Sequence, residues 1–169
     1  MTEGEFLALP EEKPYLEFVD GVVTQKTMAD AAHGRLVGLL DLEFGLYERE
    51  HGGDYGPERR VRMLSGNYQV PDTACFAPGS RSGNDSLPTV AVEVRSPGET
   101  MRAQREKCRR YRAAGVPVCW LIDPVGRTVE VFEADLDAEP LPHDGALQTE
   151  AMPGFSLTVR ELFAVLDRS

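Results

Sequence analysis

The sequence predicts a domain of the α/β (α+β) class, with helices packed against a mixed β-sheet. Segments with helix start and stop signals at 31–50, 101–114 and 158–166 alternate with short runs rich in β-forming residues. The predicted order is helix, hairpin, helix, three strands, helix, two strands, helix. That order, with neither an internal repeat nor a linker in the sequence, is typical of one layered α/β domain.

Size and composition favour one globular unit. The 169 residues, 41% of them hydrophobic and 27% charged, are enough to bury a core, so we predict a single domain over 1–169. No apolar run approaches the roughly 18 residues of a membrane span, and the N-terminus lacks the pattern of a signal peptide. We therefore expect no membrane association and a cytoplasmic location.

Cysteine usage points away from disulfides and zinc. The three cysteines are Cys75, Cys108 and Cys119, an odd number without Cys-x-x-Cys spacing. We interpret them as small buried side chains.

The N-terminal segment predicts a short helix followed by a hairpin. Thr2 and Glu5 have capping-box spacing, so a helix ending at Pro10 is expected. Asp20-Gly21 separates two β-forming runs, 15–19 and 22–24, which is a strong signal for a two-residue hairpin turn. Glu17 lies in the middle of the first strand, and its side chain faces either solvent or a site.

The next segment predicts a long helix. Asp30 can cap it, and apolar residues follow helical spacing over 31–50. Gly34 and Gly38 lie one turn apart, which would let another backbone approach closely. His33 falls in the first turn, as either an exposed side chain or a member of a site.

The remaining elements follow from turn and cap residues. Strands are predicted at 55–63, 68–76 and 88–95, separated by turns at 65–67 and 79–85. Thr100 or Glu99 caps a helix over 101–114 that stops at Gly115. Strands follow at 118–122 and 128–132, then an irregular stretch with a hairpin at 144–145. A capping box at Thr158 begins the last helix.

Charge is unevenly distributed. The formal net charge of -10 argues against a protein that coats nucleic acid, because phosphate contacts dominate such binding. Seven of the eighteen basic residues nevertheless lie between Arg95 and Arg112. This stretch is either a solvated helix face or a local surface that attracts phosphate.

The stretch 70–107 contains the candidate catalytic and metal-binding residues. A hairpin can bring Asp72 beside Glu93, which stands near the end of an apolar strand, and Lys107 follows on the next helix. Two neighbouring carboxylates repel each other unless a cation lies between them. Oxygen ligands of this kind suit Mg²⁺ or Mn²⁺, which can activate water and neutralise charge during phosphodiester hydrolysis.

The pattern resembles the PD-(D/E)XK nuclease superfamily and, more narrowly, the bacterial Uma-two-like restriction endonucleases, formerly a domain of unknown function. The resemblance covers nearly the whole chain. Its motifs are Glu5-Phe6-Leu7, Tyr15-Leu16-Glu17 with Asp20-Gly21, His33, Val70-Pro71-Asp72, Val92-Glu93-Val94 with Ser96-Pro97, Glu106-Lys107 with Tyr111, Gly115-Val116-Pro117, Trp120-Leu121-Ile122-Asp123-Pro124 and Pro153-Gly154-Phe155.

The resemblance implies a restriction-endonuclease-like core, a divalent metal (Mg²⁺ or Mn²⁺), hydrolysis of DNA and a homodimer. It implies that Asp72 and Glu93 bind the metal, with the Val94 carbonyl as a third ligand. Lys107 takes the role of the catalytic lysine, and Glu17 and His33 support the site.

One residue departs from the family pattern, and two other functions stay open. Arg95 stands where the family has an apolar residue, and arginine cannot act as a base, so either Arg95 or Lys107 faces the reacting phosphate. The alternative to a nuclease is an inactive module of the same fold that binds nucleic acid or protein. A third option is a metal-dependent hydrolase of another phosphate ester.

Overall fold

The computed structural model describes residues 1–79, 86–134 and 138–168. The predicted turn at 79–85 lies almost entirely outside these residues. The helices are α1 (Glu3–Leu7), α2 (Ala31–His51), α3 (Met101–Ala114) and α4 (Val159–Ala164), with a 3₁₀ turn at Leu64–Gly66. The strands are β1 (Leu16–Val19), β2 (Val22–Gln25), β3 (Asp54–Pro57), β4 (Val61–Arg62), β5 (Tyr68–Gln69), β6 (Thr73–Phe76), β7 (Val90–Val94), β8 (Val118–Asp123), β9 (Thr128–Phe132), β10 (Glu139–Pro140), β11 (Ala146–Leu147) and β12 (Leu157–Thr158).

The central sheet contains six strands in the order β10-β9-β8-β7-β6-β3 within the described part of the chain. Strands β7 and β8 are parallel, with Val90 opposite Val118, and α3 makes the crossover between them. The other neighbouring strands are antiparallel, so the sheet is mixed.

Helices cover both faces of this sheet because successive side chains of a strand point to opposite sides. Val92 of β7 packs in a core with Leu36 and Phe44 of α2. Its neighbour Ala91 packs in a second core with Tyr111 of α3. Glu93 follows this alternation and points, like Ala91, toward α3.

A second sheet of four strands, in the order β2-β1-β5-β4, contains the N-terminal hairpin. Asp20 and Gly21 both have positive φ, as the predicted two-residue turn requires, and Val19 pairs with Val22. Phe6, Phe18 and Tyr68 form its apolar cluster. The hairpin therefore packs against α1 and β5.

Two predicted strands are each divided between the sheets. The predicted strand 55–63 forms β3 in the central sheet and β4 in the second sheet, and the predicted strand 68–76 forms β5 and β6 in the same way. Pro71 has no N–H to donate to a ladder, so a continuous strand is interrupted there. The chain thus crosses from one sheet to the other immediately before Asp72.

One smaller prediction was wrong, and one possibility is not used. The strands flanking Asp144-Gly145 do not pair with each other, because β10 pairs with β9 and β11 pairs with β12. Nothing lies within 4 Å of a Cβ placed on Gly34 or Gly38, so no described backbone approaches α2 there. Among the described helices, none combines the length and the apolar character that crossing a membrane requires.

Candidate active site

The five residues predicted for the site lie together in a buried cluster of charges where the two sheets meet. His33 Nε2 is 3.1 Å from Asp72 Oδ2, and Lys107 Nζ lies 2.8 Å from Glu17 and 2.9 Å from Glu93. A sixth residue, Lys26, lies 2.6 Å from Asp72. We call these six residues the charged cluster: Glu17, Lys26, His33, Asp72, Glu93 and Lys107.

Asp72 enters the cluster from the segment between β5 and β6. Thr73 pairs with Val92 in the antiparallel ladder, and continuing this register by one residue aligns Asp72 with Glu93. The Val94 N–H donates to Asp72 Oδ2 at 2.7 Å. Burial alone would raise the pKa of Asp72, but the charge of Lys26 and the hydrogen bond from His33 hold that pKa well below its ordinary value. Asp72 is therefore ionised.

Glu93 lies on β7 beneath α3, with 2% of its side chain exposed. Its Oε1 accepts a hydrogen bond from the Tyr111 hydroxyl at 2.9 Å and forms an ion pair with the Lys107 ammonium at 2.9 Å. Burial raises the pKa of Glu93 to about 7, with Asp72 and Glu17 adding to the rise and Lys107 opposing it. The Glu93 carboxyl is therefore easier to protonate than an exposed glutamate.

Lys107 faces inward from the middle of α3. Burial acts to lower its pKa, but the charges of Glu93, Glu17 and Asp72 raise that pKa above its ordinary value. The pKa values of both partners are raised, which favours the charged form of Lys107 and the neutral form of Glu93. The two results agree, because three carboxylates surround the ammonium, whereas Glu93 is buried and faces two other carboxylates. Lys107 stays protonated.

Glu17 points into the cluster and not into solvent. Its Oε1 accepts the backbone N–H of Val70 at 2.8 Å and the Lys107 ammonium. The Val70 carbonyl in turn accepts from Lys26 at 2.9 Å and from Lys107 at 3.3 Å. The crossing segment is thus tied to both lysines and to the hairpin.

His33 reaches the cluster from the first turn of α2. Asp30 caps this helix by accepting the His33 N–H at 2.8 Å, which fixes where the imidazole emerges. Burial acts to lower the pKa of His33, but the hydrogen bond and charge of Asp72 raise that pKa overall. The contact with Asp72 therefore shifts the imidazole toward its protonated form.

Lys26 is a member of the charged cluster that no sequence motif indicated. With Glu17 opposite Thr24 in the hairpin, Lys26 stands two residues beyond Thr24, and so on the same face as Glu17. The Asp20-Gly21 turn fixes this register. The signal was therefore present in the sequence.

Arg95 lies outside the charged cluster. Its guanidinium binds Asp123 Oδ1 at 2.7 and 2.9 Å and donates to the Glu99 carbonyl. Asp123 also accepts the Val125 N–H, so it caps the turn after β8. Of the two cations that the sequence left open, Lys107 is the one in contact with Glu93.

The arginines of α3 are largely engaged within the protein. Arg105 binds Glu130 through two nitrogens, at 2.6 and 2.8 Å, and Arg110 donates to Gln69 at 2.7 Å. Arg112 donates to the carbonyl of Val116. These contacts favour a structural role for much of the basic stretch.

The donor chemistry fits a divalent cation. Within residues 1–79, 86–134 and 138–168, no three His, Cys, Asp or Glu side chains are arranged as a metal site. The cluster still provides two buried carboxylates, Asp72 and Glu93, on adjoining segments, and such hard oxygen ligands suit Mg²⁺ when water and substrate oxygens complete the shell. Gln104 lies on the same buried face of α3 as Lys107. Its buried side-chain oxygen, Oε1, has no hydrogen-bond partner among the described residues.

Comparison with known protein families identifies the chain. The family model described as "Uma2: Putative restriction endonuclease" matches residues 4–160. The chain belongs to the Uma2 family. This match confirms the predicted resemblance and supports a nuclease, a hydrolase that acts on nucleic acids.

A solved structure shares the fold of this Uma2 protein. A crystal structure described as a putative nuclease belonging to DUF820, from Anabaena variabilis ATCC 29413, superposes with a TM-score of 0.86 at 22% identity. The match covers 98% of this chain and 99% of that chain. No curated protein sequence matches. The restriction-endonuclease-like fold is therefore confirmed.

Proposed function

We propose that this protein is an endonuclease that hydrolyses DNA phosphodiester bonds with Mg²⁺ or Mn²⁺. The observation that carries the proposal is the contact between buried Glu93 and buried Lys107, beside ionised Asp72, in a chain of the Uma2 family. A bound divalent cation supplies charge neutralisation at the phosphate and a more acidic water.

The residues of the cluster have distinct proposed roles. Asp72 and Glu93 hold the metal, with the Val94 carbonyl as a third ligand. Lys107 orients the attacking water or binds a phosphate oxygen, since its protonated ammonium is a donor and not a base. Glu17 fixes Lys107, and His33 fixes Asp72, as their contacts of 2.8 and 3.1 Å indicate.

Plasmid cleavage tests this proposal. With Mn²⁺, the wild-type protein is expected to nick supercoiled DNA, and Asp72→Ala is expected to abolish nicking. Asp144→Ala removes an exposed aspartate outside the cluster and is expected to cleave like wild type. Persistent cleavage by Asp72→Ala would reject the site. Cleavage of RNA but not of DNA would reject the proposed substrate.

One observation favours a second candidate, an inactive module that binds nucleic acid or protein. Lys26 and Lys107 already contact the three carboxylates of the cluster, so the fold is stabilised without a metal. Such a module would bind DNA without any cleavage in Mn²⁺. Binding measured by electrophoretic mobility shift, together with the plasmid assay, separates the two candidates.

We also propose a homodimer. Leu42 and Leu46 stand one turn apart on α2 and are 58% and 40% exposed, and Gly38 continues the same row. An apolar row of this kind suits contact with a second copy. Sedimentation velocity is expected to show a dimer for wild type and a monomer for the Leu42→Glu/Leu46→Glu variant. A monomeric wild type would reject the dimer.

A further inference from the structure

Lys26 is the counter-ion of Asp72. Its ammonium lies 2.6 Å from Asp72 Oδ1 and 2.9 Å from the Val70 carbonyl, and 10% of its side chain is exposed. This burial contrasts with Lys13, which is 72% exposed and lies 3.4 Å from Glu58. Lys26 is therefore a component of the buried cluster.

The Asp72 carboxylate has little accepting capacity left. Oδ2 accepts from the Val94 N–H at 2.7 Å and lies 3.1 Å from His33 Nε2, while Oδ1 accepts from Lys26. A carboxylate has about four lone-pair sites, so three neighbours occupy most of them. A cation that binds Oδ1 has to share the oxygen that Lys26 holds.

Charge opposes such sharing. The ammonium of Lys26 and a divalent cation on the same oxygen would lie within a few ångströms of each other in a buried region, where repulsion is poorly screened. Lys107 is also protonated in the cluster and adds to the positive charge. Metal binding is therefore favoured when the Lys26 ammonium leaves.

The surroundings of Lys26 allow it to leave. Its backbone N–H donates to the Tyr15 carbonyl at 2.9 Å, which anchors the residue at the end of the hairpin. The side chain is a flexible four-carbon stem, and the exposed Met28 stands two residues further along the connection to α2. Asp72, by contrast, is held by the backbone N–H of Val94.

We propose that Lys26 is a resident counter-ion of Asp72 that a divalent cation displaces, so that Lys26 weakens metal binding and stabilises the metal-free protein. This inference rests on the proposed function in one respect, the binding of metal by Asp72. Lys26 acts as this counter-ion through its contacts of 2.6 Å with Asp72 and 2.9 Å with the Val70 carbonyl.

Isothermal titration with Mn²⁺ tests the competition. Lys26→Met is expected to bind Mn²⁺ about tenfold tighter than wild type, or more, because it removes a like charge next to the metal. Its thermal unfolding without metal is expected at a lower temperature than that of wild type. Lys13→Met removes the exposed lysine and is expected to match wild type in both measurements.

Amine labelling of the wild-type protein provides a readout that needs no variant at position 26. Acetylation by an N-hydroxysuccinimide ester is followed by mass spectrometry of each lysine peptide, with and without Mn²⁺. Mn²⁺ is expected to accelerate labelling of Lys26 and to leave Lys13 unchanged. If saturating Mn²⁺ leaves the acetylation rate of Lys26 unchanged, the inference is overturned. This outcome can be measured even if the Lys26→Met variant does not fold.

The outcomes separate this inference from the proposed function. Mn²⁺ binding by wild type that Lys26→Met does not tighten would overturn the displacement alone. Binding by Lys26→Met without binding by wild type would support it. If neither protein binds Mn²⁺, both the displacement and the metal-dependent nuclease fail.

Discussion

The ammonium of Lys107 lies 2.9 Å from Glu93 Oε1, and the two side chains are 8% and 2% exposed. The pair joins the middle of α3 to the end of β7, on the side of the central sheet that α3 covers. Glu17 of the hairpin binds the same ammonium. One lysine therefore connects the central sheet, its crossover helix and the second sheet.

Loss of the Lys107 ammonium is expected to destabilise the protein. Lys107→Met leaves Glu93 and Glu17 buried without their cation, which typically costs about 3–5 kcal/mol of unfolding free energy. Urea denaturation without metal measures the loss. Lys13→Met, at an exposed site, is expected to stay within about 0.5 kcal/mol of wild type. A similarly small loss for Lys107→Met would contradict the role of this ion pair.

Stability is expected to fall between about pH 4.5 and pH 7 because of Glu93. Its pKa rises from 4.5 to about 7 on folding, so the folded state holds this proton more tightly. The stabilisation is complete below 4.5 and is lost as pH rises through about 7, a change of about 3 kcal/mol. His33, whose pKa is also raised, acts in the same direction.

Denaturant melts across this range measure the effect, with Glu93→Gln as the matched variant. Glutamine cannot titrate, so the variant is expected to lose most of the pH slope in this window. Asp72 has the opposite sign, because its pKa is lowered on folding: its stabilisation is present above 3.8 and is lost in stronger acid. An equal slope in Glu93→Gln would show that another group is responsible.

The hydroxyl of Tyr111 is expected to contribute to stability through Glu93. Tyr111→Phe keeps the buried ring and removes the donor that lies 2.9 Å from Glu93 Oε1. Removing one partner of a buried hydrogen bond costs about 1–3 kcal/mol. Thermal unfolding monitored by circular dichroism measures this. Tyr15→Phe, which changes a half-buried tyrosine outside the cluster, serves as the control, and an equal effect there would reject the assignment.

Arg95 and Lys107 are expected to differ in catalysis. Arg95→Gln breaks the contact with Asp123 and leaves the charged cluster intact, so cleavage is expected within about tenfold of wild type. Lys107→Gln is expected to lose about 100-fold or more, as for a group that positions water or phosphate. Single-turnover cleavage in Mn²⁺ measures both. The reverse order would assign the reacting phosphate to Arg95.

The helix caps and the hairpin turn could be predicted from the sequence because each depends on residues only a few positions apart. The capping boxes of α1 and α4 are both formed, as is the Asp30 cap of α2. The Asp20-Gly21 turn forms the predicted hairpin. Each cap depends on backbone N–H groups within one turn of the capping residue, and the hairpin depends on two adjacent turn residues with positive φ.

The division of the two predicted strands between two sheets could not be predicted from local sequence signals. Residues 68–76 were predicted as one strand, and Pro71 marks a break within it, but the break does not reveal that Tyr68 pairs with Phe18 in one sheet and Thr73 with Val92 in the other. Which sheet a strand joins depends on partners far away in the chain. Strand propensity does not contain that information.

By itself, the sequence determined the helix caps, the hairpin turn and the family, and it predicted that Asp72, Glu93 and Lys107 belong to one site. Only the tertiary structure decided that Lys26 binds Asp72, and that Arg95 turns away to Asp123. The physical reason is that a buried charge is costly unless it is paired with an opposite charge. The partner of Lys26 is 46 residues away in the sequence and the partner of Arg95 is 28 residues away, so the fold decides these pairs.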